Sequence, residues 1–142
     1  MIKRLSHAGV LVLDQESAKK FYTEKLGFEV RYDVTMDDDA MGGFRWLTVG
    51  PPTQPDLEFT LLEPRPPMID AETAGQLRSL IAKGTFGGGV WATDDCKGTY
   101  DELSAKGVVF AQEPSERPYG IEAVFRDDSG NWFSLTQPRQ GA

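Results

Sequence analysis

The chain contains two copies of one sequence pattern, and this internal repeat constrains its fold more than any other feature. One copy runs from His7 to Phe28 (HAGVLVLDQESAKKFYTEKLGF) and the other from Gly88 to Val109 (GGVWATDDCKGTYDELSAKGVV). Each copy has an apolar strand, an aspartate-containing turn, an amphipathic helix and a glycine. A repeat of about half the chain predicts two equivalent halves, each too small to bury a core alone. We therefore expect the functional site where the halves face each other.

The hydrophobic periodicity predicts the same βαβββ order in both halves. We expect one α+β domain over 1–142, with a first module at 1–64, a linker with a short helix at 65–84 and a second module at 85–138. Loops are expected at the acidic run 37–39 and at 50–55. The predicted strands lie near 2–13, 28–34, 44–49 and 57–62, then 86–93, 108–112, 121–126 and 132–137; the predicted helices follow Asp14, Asp70 and Asp95.

Composition narrows the classes of function. The 142 residues carry 22 acidic and 15 basic side chains, a formal charge of −7, which argues against binding to nucleic acid or an anionic membrane. Apolar stretches are far shorter than the roughly 18 residues that span a bilayer. The start of the sequence has no sustained apolar region typical of a secretion signal. The single cysteine allows no disulfide within the chain, which is compatible with the cytoplasm, where we expect the protein.

These residues resemble the vicinal oxygen chelate superfamily, which includes glyoxalases, bleomycin resistance proteins and extradiol dioxygenases. The resemblance covers nearly the whole chain, and its most specific parts are 7–30 and the closing segment GIEAVFRDDSGNWFSLTQP at 120–138. It implies two tandem βαβββ modules that form a curled mixed sheet around a cleft. It also implies a homodimer.

In metal-dependent members of the superfamily, the ligands come from the first and last strands of the modules. The corresponding positions here are His7, Thr60, Gly88 and Ser134. Only His7 is a good ligand for a transition metal, and it is the only histidine, whereas a catalytic zinc site normally has three protein ligands. We therefore expect no metal and no other cofactor. A displaced divalent-metal site that uses His7 with Glu58 and Glu122 is the alternative.

Strand alternation identifies further residues of the predicted cleft. Glu58 shares a face with Thr60, and Trp132 shares one with Ser134, while Trp46 is a candidate on a strand without a fixed phase. Trp91 is expected on the opposite face from Gly88, in the core. His7 has a structural interpretation, a hydrogen bond to a neighbouring strand, and a weaker one as a general base. The predicted ligand-binding residues are His7, Trp46, Glu58, Thr60, Gly88, Glu122, Trp132 and Ser134.

Two classes of function follow. The first is a small-molecule-binding protein, similar to bleomycin resistance proteins, which sequesters an aromatic or cationic ligand in the cleft between modules and gives antibiotic resistance. The second is an enzyme, a glyoxalase-like lyase or isomerase or a dioxygenase, whose metal would stabilise an enediolate or activate oxygen. Three of the four expected ligand positions lack a metal-binding side chain, which favours the first class.

Overall fold

Two four-stranded mixed sheets and three helices form an α+β fold of two tandem βαβββ modules, as the repeat predicts. The computed structural model describes residues 1–37, 40 and 42–140. Residues 38 and 39 of the predicted acidic loop therefore lie outside the described part of the chain. None of the described helices combines the length and the apolar character needed to cross a membrane.

The first module has the strand order β1-β4-β3-β2. Its strands β1 and β4 are parallel, and the other pairs are antiparallel. The helix α1 continues into one π-helical segment, Phe21–Lys25. The elements are β1 (His7–Leu11), α1 (Gln15–Lys20), β2 (Glu29–Met36), β3 (Phe44–Gly50) and β4 (Glu58–Leu62).

The second module repeats this topology with the order β5-β8-β7-β6, in which β5 and β8 are parallel. The linker between the modules contains one helix, as predicted. The elements are α2 (Ala71–Ala82) in the linker, then β5 (Gly87–Ala92), α3 (Cys96–Ala105), β6 (Val109–Arg117), β7 (Gly120–Arg126) and β8 (Trp132–Pro138).

Each helix begins at an aspartate whose carboxylate accepts a hydrogen bond from a backbone N–H three residues later. Asp14, Asp70 and Asp95 make these bonds at 2.8 to 2.9 Å. An N-terminal cap of this kind typically stabilises a helix by about 1 kcal/mol. The predicted starts of all three helices are therefore confirmed.

Two strands differ in length from the prediction. The first begins at His7 rather than near Ile2, because its partner β4 begins at Glu58, which pairs with His7. The strand β6 extends to Arg117 because β7 provides partners as far as Gly120. An edge strand has one side without a sheet partner, so it accommodates Pro114.

The two modules share one hydrophobic core, which lies on the helix side of both sheets. Phe59 of the first module packs against Phe133 and Trp91 of the second, with ring centroids 6.0 and 5.0 Å apart. The buried Tyr22 contacts Phe133 edge to face. Trp91 is thus a core residue, as predicted. Each sheet has a second face, on the side away from this core, and the candidate site lies on these outer faces.

Candidate functional site

The outer face of the first sheet, called here the first face, carries an imidazole, a carboxylate and an indole in contact. Nε2 of His7 lies 3.1 Å from Oε2 of Glu58, because the parallel pairing of β1 and β4 places these residues side by side. Oε1 of Glu58 accepts a 2.8 Å hydrogen bond from the hydroxyl of the buried Thr48. The rings of His7 and Trp46 are 5.9 Å apart. The half-buried Thr60 pairs with Thr48 on the neighbouring strand.

The hydrogen bonds of His7 fix the orientation of its ring. Nδ1 lies 2.8 Å from the hydroxyl of Ser6, and Nε2 lies against the carboxylate of Glu58. The network is satisfied when Nε2–H donates to Glu58 and Nδ1 accepts from Ser6, and we assign this tautomer. The side chain of His7 is 41% exposed and that of Glu58 is 23% exposed, so a molecule on this face reaches both.

The outer face of the second sheet, the second face, is built around Glu122. Its Oε2 accepts a 2.6 Å hydrogen bond from the buried Ser134, and its Oε1 accepts a 2.8 Å bond from the hydroxyl of Tyr119. The hydroxyls of Ser134 and Thr136 are 2.7 Å apart, and the indole of Trp132 is 40% exposed. This face resembles the first in chemistry, since each combines a carboxylate, hydroxyls and a tryptophan.

The environment of Glu122 favours its charged form. The hydrogen bond from Ser134 has the largest effect, followed by the bond from Tyr119, and the nearby guanidinium of Arg117 adds to them; together they lower the pKa of Glu122 below its usual value. The hydrogen bond between Tyr119 and Glu122 also raises the pKa of the Tyr119 phenol. Glu122 is therefore ionised at neutral pH, and the guanidinium of Arg117, 3.8 Å away, partly offsets its charge.

Gly88 lies on neither outer face. A β-bulge between Gly87 and Val90 adds a residue to β5, and Gly89 has a φ of 126°. A side chain on Gly88 would collide with Phe133 and would approach Cγ1 of Val10 at 2.7 Å. Gly88 and Trp91 thus both contact Phe133, and the predicted opposite orientation of these two residues is wrong because alternation fails at a bulge.

The structure brings the predicted residues together in two groups. His7, Trp46, Glu58 and Thr60 form one group, and Glu122, Trp132 and Ser134 form the other. Within the described ranges, no hydrogen bond or ion pair joins the two groups. Because the sheets share a core on their helix sides, their outer faces do not pack against each other within one chain.

The donor set of a single chain does not fit a catalytic metal. His7 and Glu58 provide one imidazole and one carboxylate, whereas catalytic zinc sites use three protein ligands and non-haem iron sites two histidines and a carboxylate. Over the part of the chain that the structure describes, no group of three or more histidine, cysteine, aspartate or glutamate side chains is placed to hold a metal. We therefore derive no chemical step through a metal.

Sequence reasoning missed the residues that hold the two carboxylates. Thr48 binds Glu58, and Tyr119 and Arg117 lie beside Glu122. The sequence carried a signal for Thr48, since it lies two residues after Trp46 in one strand and therefore shares its face. It carried none for Tyr119 and Arg117, because their approach depends on the turn between β6 and β7.

Fold and site together define a two-module α+β protein with a carboxylate and a tryptophan on the outer face of each sheet. The model of the Glyoxalase/Bleomycin resistance protein/Dioxygenase superfamily matches residues 4–135. The chain belongs to this superfamily.

Individual relatives cover nearly all of the chain. UcmS2 is 56% identical, with a TM-score of 0.88, over 96% of this chain and 98% of its own. TnmS3, an antibiotic binding protein from Streptomyces sp. CB03234, is 31% identical, with a TM-score of 0.72, over 97% and 98% of the two chains. The uncharacterized protein YetH of Bacillus subtilis (strain 168) is 33% identical over 96% of this chain and 100% of its own. The similarity to these proteins supports the conclusion that this chain is a small-molecule-binding member of the superfamily.

Proposed function

We propose that the protein sequesters an aromatic cation without a metal, in the cytoplasm, and thereby protects a cell from a toxic compound such as an antibiotic. The observation that carries the proposal is the paired chemistry of the two faces, each of which has a carboxylate and an exposed or partly exposed indole on the same side of its sheet. An aromatic ring stacks on indole, and a cation is attracted both to the carboxylate and to the face of the ring. The antibiotic-binding relative TnmS3 supports the same class of function.

The roles of individual residues follow from their positions. Trp46 and Trp132 provide flat apolar contact, and Glu58 and Glu122 provide charge that existing hydrogen bonds hold in place. A carboxylate already oriented by a threonine or serine loses little conformational freedom when a ligand binds. His7 donates to Glu58 and offers an imidazole to the ligand. Gly88 acts from the core by allowing the modules to pack closely.

We further propose that a second copy of the chain completes the cleft. Each face is open in a single chain and carries exposed apolar side chains, with Tyr32 57% exposed on β2 and Val90 67% exposed on β5. A contiguous exposed apolar patch commonly marks an interaction site, and on β2 Val34 and Met36 extend the patch that Tyr32 begins. In a homodimer, the first face of one copy would meet the second face of its partner, so that both carboxylates border one cavity.

Binding of a planar aromatic cation tests the proposed ligand class. Proflavine is the probe, and anthracene carboxylate, a tricyclic anion, is its matched control. We expect proflavine to quench tryptophan fluorescence in a saturable way. Glu58→Gln and Glu122→Gln should each weaken the affinity for proflavine about fivefold. Glu72→Gln, at the start of α2, should have no effect. Equal binding of cation and anion, or equal binding by all variants, would contradict a cationic ligand.

Metal content separates the binding protein from the enzyme. Protein without a histidine tag is soaked with zinc, nickel, manganese or ferrous iron, desalted and measured by elemental analysis. We expect far less than one metal per chain. Near-equimolar metal that is removed by a chelator and lost in His7→Ala would overturn the proposal in favour of a metal-dependent lyase or dioxygenase.

The mass in solution tests the dimer. Light scattering should give twice the chain mass, and Tyr32→Glu or Val90→Glu should give a monomer, because a charge on an apolar interface is costly to bury. Leu80→Glu, on the exposed side of α2, is the matched control and should remain dimeric. A monomeric wild-type protein would refute the proposal that a second copy completes the cleft. It would leave the proposed class of ligand unaffected.

A further inference from the structure

A cavity lies on the helix side of the sheets, away from both outer faces. It has a volume of about 240 Å³ and opens where the two modules meet. The turn 25–28 and Pro51 of the first module form one wall, and Trp91 and the helix α3 of the second module form the other. A ligand in this cavity would contact residues of both modules.

The wall of the cavity is largely aromatic and aliphatic. Phe28 and Trp91 meet edge to face, with ring centroids 5.0 Å apart, and Leu103, Phe125 and Leu135 continue the apolar surface. The volume is slightly below the usual range for ligand pockets, about 300 to 1,000 Å³. The cavity therefore suits a single small ring rather than a drug-sized molecule.

One hydrogen-bond donor in this wall is unpaired. Nε1 of Trp91 is buried and has no hydrogen-bond partner among the residues that the structure describes. A buried donor without a partner costs about 1 to 3 kcal/mol, and buried indole N–H groups usually find an acceptor. A ligand in the cavity would reduce this cost only by displacing the side chains that cover Nε1, since that atom is closed to a water-sized group.

The rim of the cavity is positively charged in a protein whose overall charge is negative. Lys25 and Lys106 both line it, and Nζ of Lys25 lies 3.6 Å from the position of a Cβ on Gly107, across the module boundary. Glu102 also lines the cavity, where it pairs with Lys106 at 3.4 Å, and both side chains are exposed. Within the described ranges, Lys25 makes no ion pair, so one ammonium group has no opposing carboxylate.

We propose that this cavity binds a small aromatic carboxylate. Its ring lies against Phe28, Trp91 and Leu135, and its carboxylate pairs with Lys25 at the rim. This ligand has the opposite charge to the one proposed for the outer faces. The two sites are therefore chemically distinct, and the second does not depend on the first.

Nuclear magnetic resonance with phenylacetate tests this site directly. The chain has three tryptophans, so a proton–nitrogen correlation spectrum has three indole N–H resonances. Trp46→Phe and Trp132→Phe each remove one resonance and thereby assign that of Trp91, without a change in the core. We expect saturable phenylacetate binding that shifts the Trp91 resonance, with those of Trp46 and Trp132 unmoved.

Charge variants test the role of the lysines. Lys25→Gln should weaken the binding of phenylacetate about two- to fivefold, as expected for the loss of a partly solvated ion pair. Lys20→Gln is the matched control, because Lys20 ends α1, which continues into the π-helical segment of Lys25, and does not line the cavity. Phenylacetamide, which has the same ring without the charge, should bind more weakly than phenylacetate.

Three results would overturn the proposal. The first is no saturable shift of the Trp91 resonance up to about 10 mM phenylacetate. The second is a set of shifts confined to the resonances of Trp46 or Trp132. The third is equal affinity of Lys25→Gln and the wild type for phenylacetate. The second result would place the anion on the outer faces and would also count against a cationic ligand there. A shift of Trp91 alone supports this cavity whether or not proflavine binds elsewhere.

Discussion

At the scale of single residues, the hydrogen bonds around the two carboxylates decide what the site can bind. Glu58 and Glu122 are each held by a hydroxyl from a neighbouring strand, at 2.8 and 2.6 Å. The sequence identified both glutamates as candidates, Glu58 by strand alternation from Thr60 and Glu122 as a possible member of a displaced metal site. It did not indicate how they are held, since the partners come from other strands.

Ser134→Ala should raise the pKa of Glu122 towards its ordinary value, because the strongest of the hydrogen bonds that lower this pKa is then lost. A lowered pKa in the folded state means that ionised Glu122 stabilises the fold above its unfolded pKa. This stabilisation is lost as the pH falls through the folded pKa. Titration of the glutamate carboxyl carbons by nuclear magnetic resonance measures the change.

Ser104→Ala is the control for this prediction, because Ser104 lies on the exposed side of α3, far from the second face. Its titration curve for Glu122 should match that of the wild type. A Ser134→Ala variant with the wild-type curve would show that Tyr119 and Arg117 alone set the pKa of Glu122. In that case Ser134 would only fill space.

At the scale of elements, the sequence predicted the order of helices and strands, because each element has strong local signals. Aspartate caps, glycines after helices and apolar strands all occur at the expected spacing. The β-bulge in β5 was not predicted, since a run of three glycines fits several backbone paths. This one irregularity moved Gly88 from the predicted cleft to the core, because a single added residue reverses the side on which later residues lie.

Gly88→Ala should destabilise the protein by about 1 to 3 kcal/mol, because the added methyl group overpacks the contact with Phe133 and Val10. The free energy of unfolding in urea measures the effect. Gly75→Ala is the matched control: Gly75 lies in α2 with open space around it, and alanine there should stabilise by about 0.5 to 1 kcal/mol. Wild-type stability of Gly88→Ala would mean that the modules are not closely packed at this point.

At the scale of the whole molecule, the repeat predicted two modules but not how they are joined. The turn between β7 and β8 contacts the start of the first module. Asn131 donates to the carbonyl of Leu11, and Leu13 donates its N–H to the hydroxyl of Ser129, both at 2.9 Å. These contacts are between residues more than 100 positions apart, so no local pattern could reveal them.

The central bond of this junction is the one from Tyr22 to Asp127, at 2.7 Å. Burial, followed by the negative charge of Asp127, raises the pKa of Tyr22 well above its usual value, so the hydroxyl is protonated and donates at neutral pH. Asp127 also accepts from three backbone N–H groups of its own turn and from Asn131. The carboxylate thus orders the turn and attaches it to the first module.

Tyr22→Phe should lower the free energy of unfolding by about 1 to 2 kcal/mol, because it removes one hydrogen bond to a buried, charged acceptor that keeps its other partners. Unfolding in urea should remain a single transition with an unchanged slope, since Phe59, Trp91 and Phe133 still unite the modules in one core. Tyr100→Phe is the matched control, because the Tyr100 hydroxyl bonds to none of the residues that the structure describes. A second transition in Tyr22→Phe would instead mean that this single bond, rather than the shared core, makes the two modules unfold together.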